Sequence, residues 1–235
     1  MKRFWKSATT EETADGWTVL LDGRPVRTPA KRQVVLPHEA MAQEVATEWD
    51  AQTEQVDPAT MPMTRSAATC LDRVAPELDA VRQTIAAYGE TDLLCYRADH
   101  PEALIARQAQ AWDPVLAWAA SRYDANLNTG AGVMHISQPA TATQALAEAV
   151  HAEDAWPLTA LADLTTISGS LVLALAVRHG HVDARAAWTA SRIDEDWNIE
   201  QWGEDHDAAQ QAARREADFL HAARVLGMLN DEPVP

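Results

Sequence analysis

The segment from 183 to 202 holds the most suggestive side chains of the chain. If it is helical, Trp188, Glu195, Ile199 and Trp202 fall on one face, at offsets of seven, four and three residues. Glu195 is then a carboxylate inside an aromatic and aliphatic stripe, while Asp194 and Asp196 flank it and point elsewhere. A carboxylate in that setting must be paired, protonated, or at the surface beside an apolar patch. One reading is a local salt bridge, with Arg192 or with an arginine of a neighbouring helix. The other is an acid presented to a partner, with Trp188, Ile199, Trp202 and Asp194 as the surrounding contact residues. No second carboxylate can be placed opposite Glu195, so a glycosidase-type pair is not supported.

Other chemistry has weaker signals. His179-Gly180-His181 has the shape of a small metal motif, but no third ligand is in view. It sits at a predicted helix end, where a cationic side chain complements the dipole. His151, His206 and His221 have acidic neighbours without a spacing that assembles a site. Ser168-Gly169-Ser170 lies within an apolar segment and reads as close helix packing rather than a nucleophile. There is no G-x-G-x-x-G, no P-loop and no G-x-S-x-G; Gly130-Ala131-Gly132 reads as a turn before a short strand at Val133 to Ile136. Cys70 and Cys95 are expected to be buried free thiols. No catalytic, cofactor-binding or metal-ligating residue is assigned, and the expectation is a protein that is not an enzyme.

The elements that would position these residues fall into two groups. Up to about residue 36 the chain reads as strands: Trp17 to Leu21, a turn at Asp22-Gly23, a return strand Pro25 to Thr28, a further one Gln33 to Leu36, and an edge at Phe4-Trp5. From Pro37 the period changes, with Met41, Val45 and Trp49 four residues apart. After a loop at 53–63, helices are expected over 64–74, 76–88, 101–123 with a restart at Pro114, 139–152, 157–179, 183–202 beginning at the N-cap Asp183, and 205–228, before a frayed tail at 231–235. The predicted fold is α+β. A small β-rich domain with one helix, residues 1–60, precedes a larger, mostly helical domain, residues 61–235.

The 235 residues are 47% apolar and 23% charged, as in an ordinary globular protein. No run reaches the roughly 18 apolar residues of a membrane span, so no membrane insertion is expected. A net charge of −16 repels nucleic acid and anionic lipid. It suits either plain solubility or a basic partner surface. The start, Met1 to Trp5, lacks the apolar segment of a secretory signal, so a cytoplasmic location is expected. Nine tryptophans against three tyrosines and two phenylalanines are the unusual feature. Tryptophan serves both cores and interface anchors.

Several segments, taken in order, resemble one family. KRFWK, LDGRPVRTPAK, LPHEAMAQEVATEWDAQ, DPATMPMTR, YGETDLLCYRAD, QAQAWDPVLAW and DEDWNIEQWGED are similar to the ATP synthase assembly chaperones specific for the alpha subunit, over residues 2 to about 207. The resemblance implies a chaperone with a small β-rich and a larger helical domain. Such a chaperone binds the free alpha subunit of the F-type enzyme and prevents its aggregation before the catalytic head forms. Family members in eukaryotes are mitochondrial; a bacterial, cytoplasmic, monomeric protein without cofactor is implied here. A glutamate of the family's late helical region matters for activity, and Glu195 is its best match, beside Asp194; Asn198 stands where many relatives have glutamine. Two alternatives predict different behaviour. An enzyme of an unrecognised helical class would use Glu195 as general acid or base in a pocket. A general peptide adaptor would bind many unfolded clients without preference.

Overall fold

In the computed structural model, residues 2–230 are described, so the tail expectation at 231–235 lies outside them. The fold is α+β, with the strands gathered near the start and helices after them. The chain divides into two compact units. One comprises the chain through Leu78, Ala155–Ala160 and the segment from Arg224; the other comprises Asp79–Asp154 and Leu161–Ala223.

The first unit is built on four antiparallel strands, β1 (Ala8–Thr13), β2 (Gly16–Leu21), β3 (Arg24–Pro25) and β4 (Val35–Leu36), with β2 pairing all the others. The expected turn is present: Asp22 and Gly23 take φ of 47° and 80°, the left-handed pair that matches the twist of a hairpin. The edge strand is not Phe4-Trp5 but Ala8–Thr13, whose register runs from Ala8 opposite Leu21 to Thr13 opposite Gly16. Its threonines favour the extended backbone but leave no apolar alternation to read. Trp5 instead enters the core, its ring 5.0 Å from that of Trp49. Regular pairing of the return strand ends at Pro25, although Val26 N–H still donates to Val19 O at 2.8 Å. Helix α1 (Glu39–Asp50) buries Met41, Val45 and Trp49 against β1 and β2, the stripe that the four-residue spacing predicts. At the N-terminus of α2 (Pro62–Thr69), the Glu48 carboxylate accepts from the N–H groups of Met63 (2.6 Å) and Thr64 (2.8 Å). A wider turn, Cys70–Val74, follows with Ala75 N–H donating to Cys70 O.

The second unit holds α3 (Leu78–Ala86) from its second residue on, the short parallel pair β5 (Tyr96–Arg97) and β6 (Gly130–Ala131), α4 (Glu102–Tyr123) and α5 (Ala140–His151). It also takes in most of α6 (Ala155–Ser168), α7 (Leu171–Arg178), α8 (Ala184–Ser191), α9 (Ile193–Trp202) and most of α10 (His206–Leu229). Every residue of α7 from Leu171 to Ala176 is buried. Trp112 is fully buried beneath the Arg97 guanidinium, and its Nε1–H donates to Ala190 O at 2.8 Å.

Three helix boundaries differ from expectation. Pro114 does not restart a helix: α4 is continuous through it. Proline removes one N–H, but Pro114 lies on the exposed side, and Leu104, Gln108, Trp112, Val115 and Ala119 keep a buried stripe on both sides of it. The apolar segment 157–179 is two helices. Gly169 closes α6 at φ 75°, and the Ser170 hydroxyl caps α7 by accepting from Leu173 N–H at 3.0 Å. Asp92 locks the junction from inside, accepting from Ser170 Oγ (2.7 Å), Val172 N–H (2.9 Å) and Leu94 N–H (3.0 Å). Burial pushes its carboxyl up from 3.8 to about 6 despite these donors. The third break, at Arg192, divides 183–202 into α8 and α9.

The expected strand at Val133 to Ile136 is an exposed loop. Pairing ends at Ala131, and Val133 and Met134 stand 96% and 79% exposed. Asn128 and Gln138 clasp the base of this loop: Asn128 N–H donates to Gln138 Oε1 at 2.8 Å, and Gln138 Nε2–H to Asn128 O at 3.0 Å.

Candidate functional site

The predicted site residues lie around α9, but on two helices rather than one. Asp183 caps α8 as expected, accepting from the N–H groups of Arg185 (2.9 Å) and Ala186 (3.0 Å). Trp188 is buried on α8, its ring 5.8 Å from Phe219 and under the Arg192 guanidinium. At Arg192 the backbone leaves the helical region (φ −113°, ψ 11°) and restarts as α9. The single stripe drawn through Trp188, Glu195, Ile199 and Trp202 is therefore broken, and the face turns between its first member and the rest.

Three acids of α9, Asp194, Glu195 and Asp196, occupy its first turn, where the helix dipole favours negative charge. They have different fates. Asp194 is half-buried and accepts from Gln108 Nε2–H at 2.6 Å; the Oε1 of the buried Gln108 in turn accepts from Ala98 N–H at 2.8 Å. Asp196, not Glu195, pairs with Arg192, Nε to Oδ1 at 3.4 Å. Glu195 is exposed and, among the described residues, has no hydrogen-bonding or ionic partner. It opens onto a recess of about 220 Å³ that Ser168, Gly169 and Arg215 also line, and Arg215 donates to Ile167 O at 2.6 Å.

A larger groove, about 610 Å³, runs between α8–α9 and α10. Trp188, Ile199 and Trp202 line one side of it; Ala208, Ala209, Ala212 and Ala213 line the other. Trp202 is 80% exposed at the end of α9. The structure thus brings Trp188, Ile199 and Trp202 to one groove and Glu195 to an adjoining recess, with Trp188 and Arg192 lining both. Asp194 lines neither and ties α9 to α4. The α10 wall was not anticipated; its signal is the recurrence of alanine at four-residue spacing. An exposed indole beside an apolar wall favours association with another apolar surface, and needs no bond-making group to do so.

The remaining reactive side chains are accounted for locally. Burial pushes the Cys70 and Cys95 thiols up to about 11 and about 12, which keeps them protonated and unreactive. His181 stacks on Trp118 at 5.1 Å, and His179 Nδ1 lies 3.0 Å from Arg122. Burial holds His179 below its ordinary value. Among the described residues no group of three or more His, Cys, Asp or Glu side chains could hold a metal ion.

Comparison with known proteins converges. A family model described as ATP12 chaperone protein matches residues 2–120. The chain is 46% identical to Atp12 of Paracoccus denitrificans, covering 97% of each chain with a TM-score of 0.92. An aspartate-to-lysine mutant of that protein aligns at 45% identity, 97% coverage of each chain and the same TM-score, 0.92. A candidate chaperone of Agrobacterium tumefaciens is 43% identical, over 97% of this chain and 86% of that one, also with a TM-score of 0.92.

Proposed function

This chain belongs to the ATP12 chaperone family, and on that premise we propose that it holds the free alpha subunit of F-type ATP synthase until the catalytic head assembles. It acts in the cytoplasm as a monomer in this reading, and no described helix is long and apolar enough to cross a membrane. One observation carries the client-holding role: Trp202, a large apolar side chain, stands 80% exposed at a groove. A subunit awaiting its partners exposes apolar interface, and such patches associate nonspecifically. A holder must cover the patch and then yield it, which calls for a few aromatic anchors and moderate affinity. Trp202 and Ile199 supply anchors, Trp188 and Asp194 hold the platform behind them, and Glu195 supplies an uncommitted charge. The net charge of −16 steers approach to basic surfaces and keeps the holder soluble.

The test is capture of separately expressed alpha and beta subunits, with light scattering of the alpha subunit alone. Retention of alpha but not beta, with slower alpha aggregation, is expected. Equal capture of both, or of an unrelated unfolded protein in competition, would replace the assignment with a general adaptor. Unchanged alpha aggregation would end it.

A further inference from the structure

The groove between α9 and α10 has a shape and a charge pattern that select its occupant. Ala208, Ala209, Ala212 and Ala213 form small ridges one helical turn apart along α10. Ridges at that spacing accept the grooves of another helix at short distance, because no side chain holds the backbones apart. None of the residues lining the groove belongs to a strand, so an extended peptide finds no edge to pair with. The lined part of α10, from 208 to 216, is about 12 Å long at about 1.5 Å per residue, room for two to three turns of a partner helix.

The charges are asymmetric. Asp196 is paired with Arg192 at 3.4 Å, and Glu216 with Arg185 at 3.7 Å. Glu204 and Asp205, at the end of the groove beside Trp202, have no basic partner among the described residues. Asp205 is held in place as the cap of α10, accepting from Ala208 N–H at 2.8 Å. A cation arriving there meets two carboxylates and an exposed indole, and gains from both.

We infer that this groove seats an amphipathic helix of the client, with large apolar side chains turned toward Ile199 and Trp202. A lysine or arginine of that helix lies at the end nearest Glu204 and Asp205. The inference rests on the chaperone reading above and names the chemistry of the segment recognised.

Fluorescent peptides of about 14 residues test it by anisotropy against the full chain. One is an amphipathic helix flanked by lysines, the second the same helix flanked by glutamates, and the third the lysine peptide with a central proline. The lysine-flanked helix binds roughly tenfold more tightly than either of the others, and rising salt narrows its advantage over the glutamate peptide. Ala212→Trp, which fills the groove, removes that binding; Ala208→Trp serves if circular dichroism shows that the first variant does not fold. Glu204→Lys combined with Asp205→Lys reverses the preference between the lysine and glutamate peptides. Equal affinity for the three peptides, including no affinity for any, overturns the inference, as does wild-type binding by the filled groove. Alpha-subunit aggregation measured in parallel separates the two readings. Protection of alpha without peptide preference sinks the groove alone, and peptide preference without protection sinks the client assignment alone.

Discussion

Asp92 and Glu195 are both carboxylates of the helical unit, and each stands close to a break between two helices. Asp92 is fully buried and accepts three hydrogen bonds, two from Ser170 and Val172 at the α6–α7 junction and one from Leu94 beside it in sequence. Glu195, in the first turn of α9, is exposed and has no partner among the described residues. The first has its donors supplied from within the chain, so its role is completed by folding. The second keeps its full capacity to accept. Between such acids, local saturation separates a committed carboxylate from an uncommitted one better than sequence neighbourhood does.

The largest expected effect that can break this contrast comes from Asp92→Ala. It leaves the Ser170 hydroxyl and two N–H groups buried without an acceptor, at about 1–3 kcal/mol each, so a loss of at least ~3 kcal/mol is expected in urea unfolding. A loss under ~1 kcal/mol would show that water replaces the carboxylate.

Titration of Asp92 comes next. Below 3.8 the group is neutral whether the chain is folded or not. Between 3.8 and about 6 the unfolded chain releases the proton while the folded chain retains it, so stability falls as pH rises through that window. The difference is on the order of 3 kcal/mol. Subtracting the pH profile of Asp92→Asn from that of the wild type isolates it; parallel profiles would remove the account.

Gly169→Ala tests the same junction from the backbone. At φ 75° an alanine is strained by about 1–2 kcal/mol, although its Cβ would meet nothing closer than 3.9 Å. A neutral result would mean that α6 can end differently.

Glu195→Lys gives the smallest effect on the fold, within about 0.5 kcal/mol, because no described residue bonds to or pairs with this side chain. Assembly of the catalytic head in cells is nonetheless expected to fall. Normal assembly would make Glu195 an ordinary surface acid, and a large loss of stability would reveal an internal partner.

Much of the fold was legible beforehand. The Asp22-Gly23 hairpin, the Met41–Val45–Trp49 face of α1 and the Asp183 cap follow from turn chemistry, helical period and capping, all of which act over a few residues. The Arg192 break was not legible, because 183–202 contains neither glycine nor proline; neither was the Ala8–Thr13 strand, which carries no apolar alternation. Of the candidate site, Trp188, Ile199 and Trp202 were expected on one face of a single helix; that continuous stripe does not exist, and the three meet instead by lining one groove from two helices. Asp194 and Glu195, adjacent and alike in sequence, could not be told apart.

What the amino-acid order determined alone is therefore the period and punctuation of its elements, because propensity and capping are local energies. What only the tertiary structure decided is which polar groups are satisfied. Gln108 reaches Asp194 across 86 residues and Ser170 reaches Asp92 across 78, and no short-range rule carries a hydrogen bond over that distance. Which acids find such donors leaves Glu195 without a partner among the described residues, on a helix whose last residue, Trp202, stands exposed.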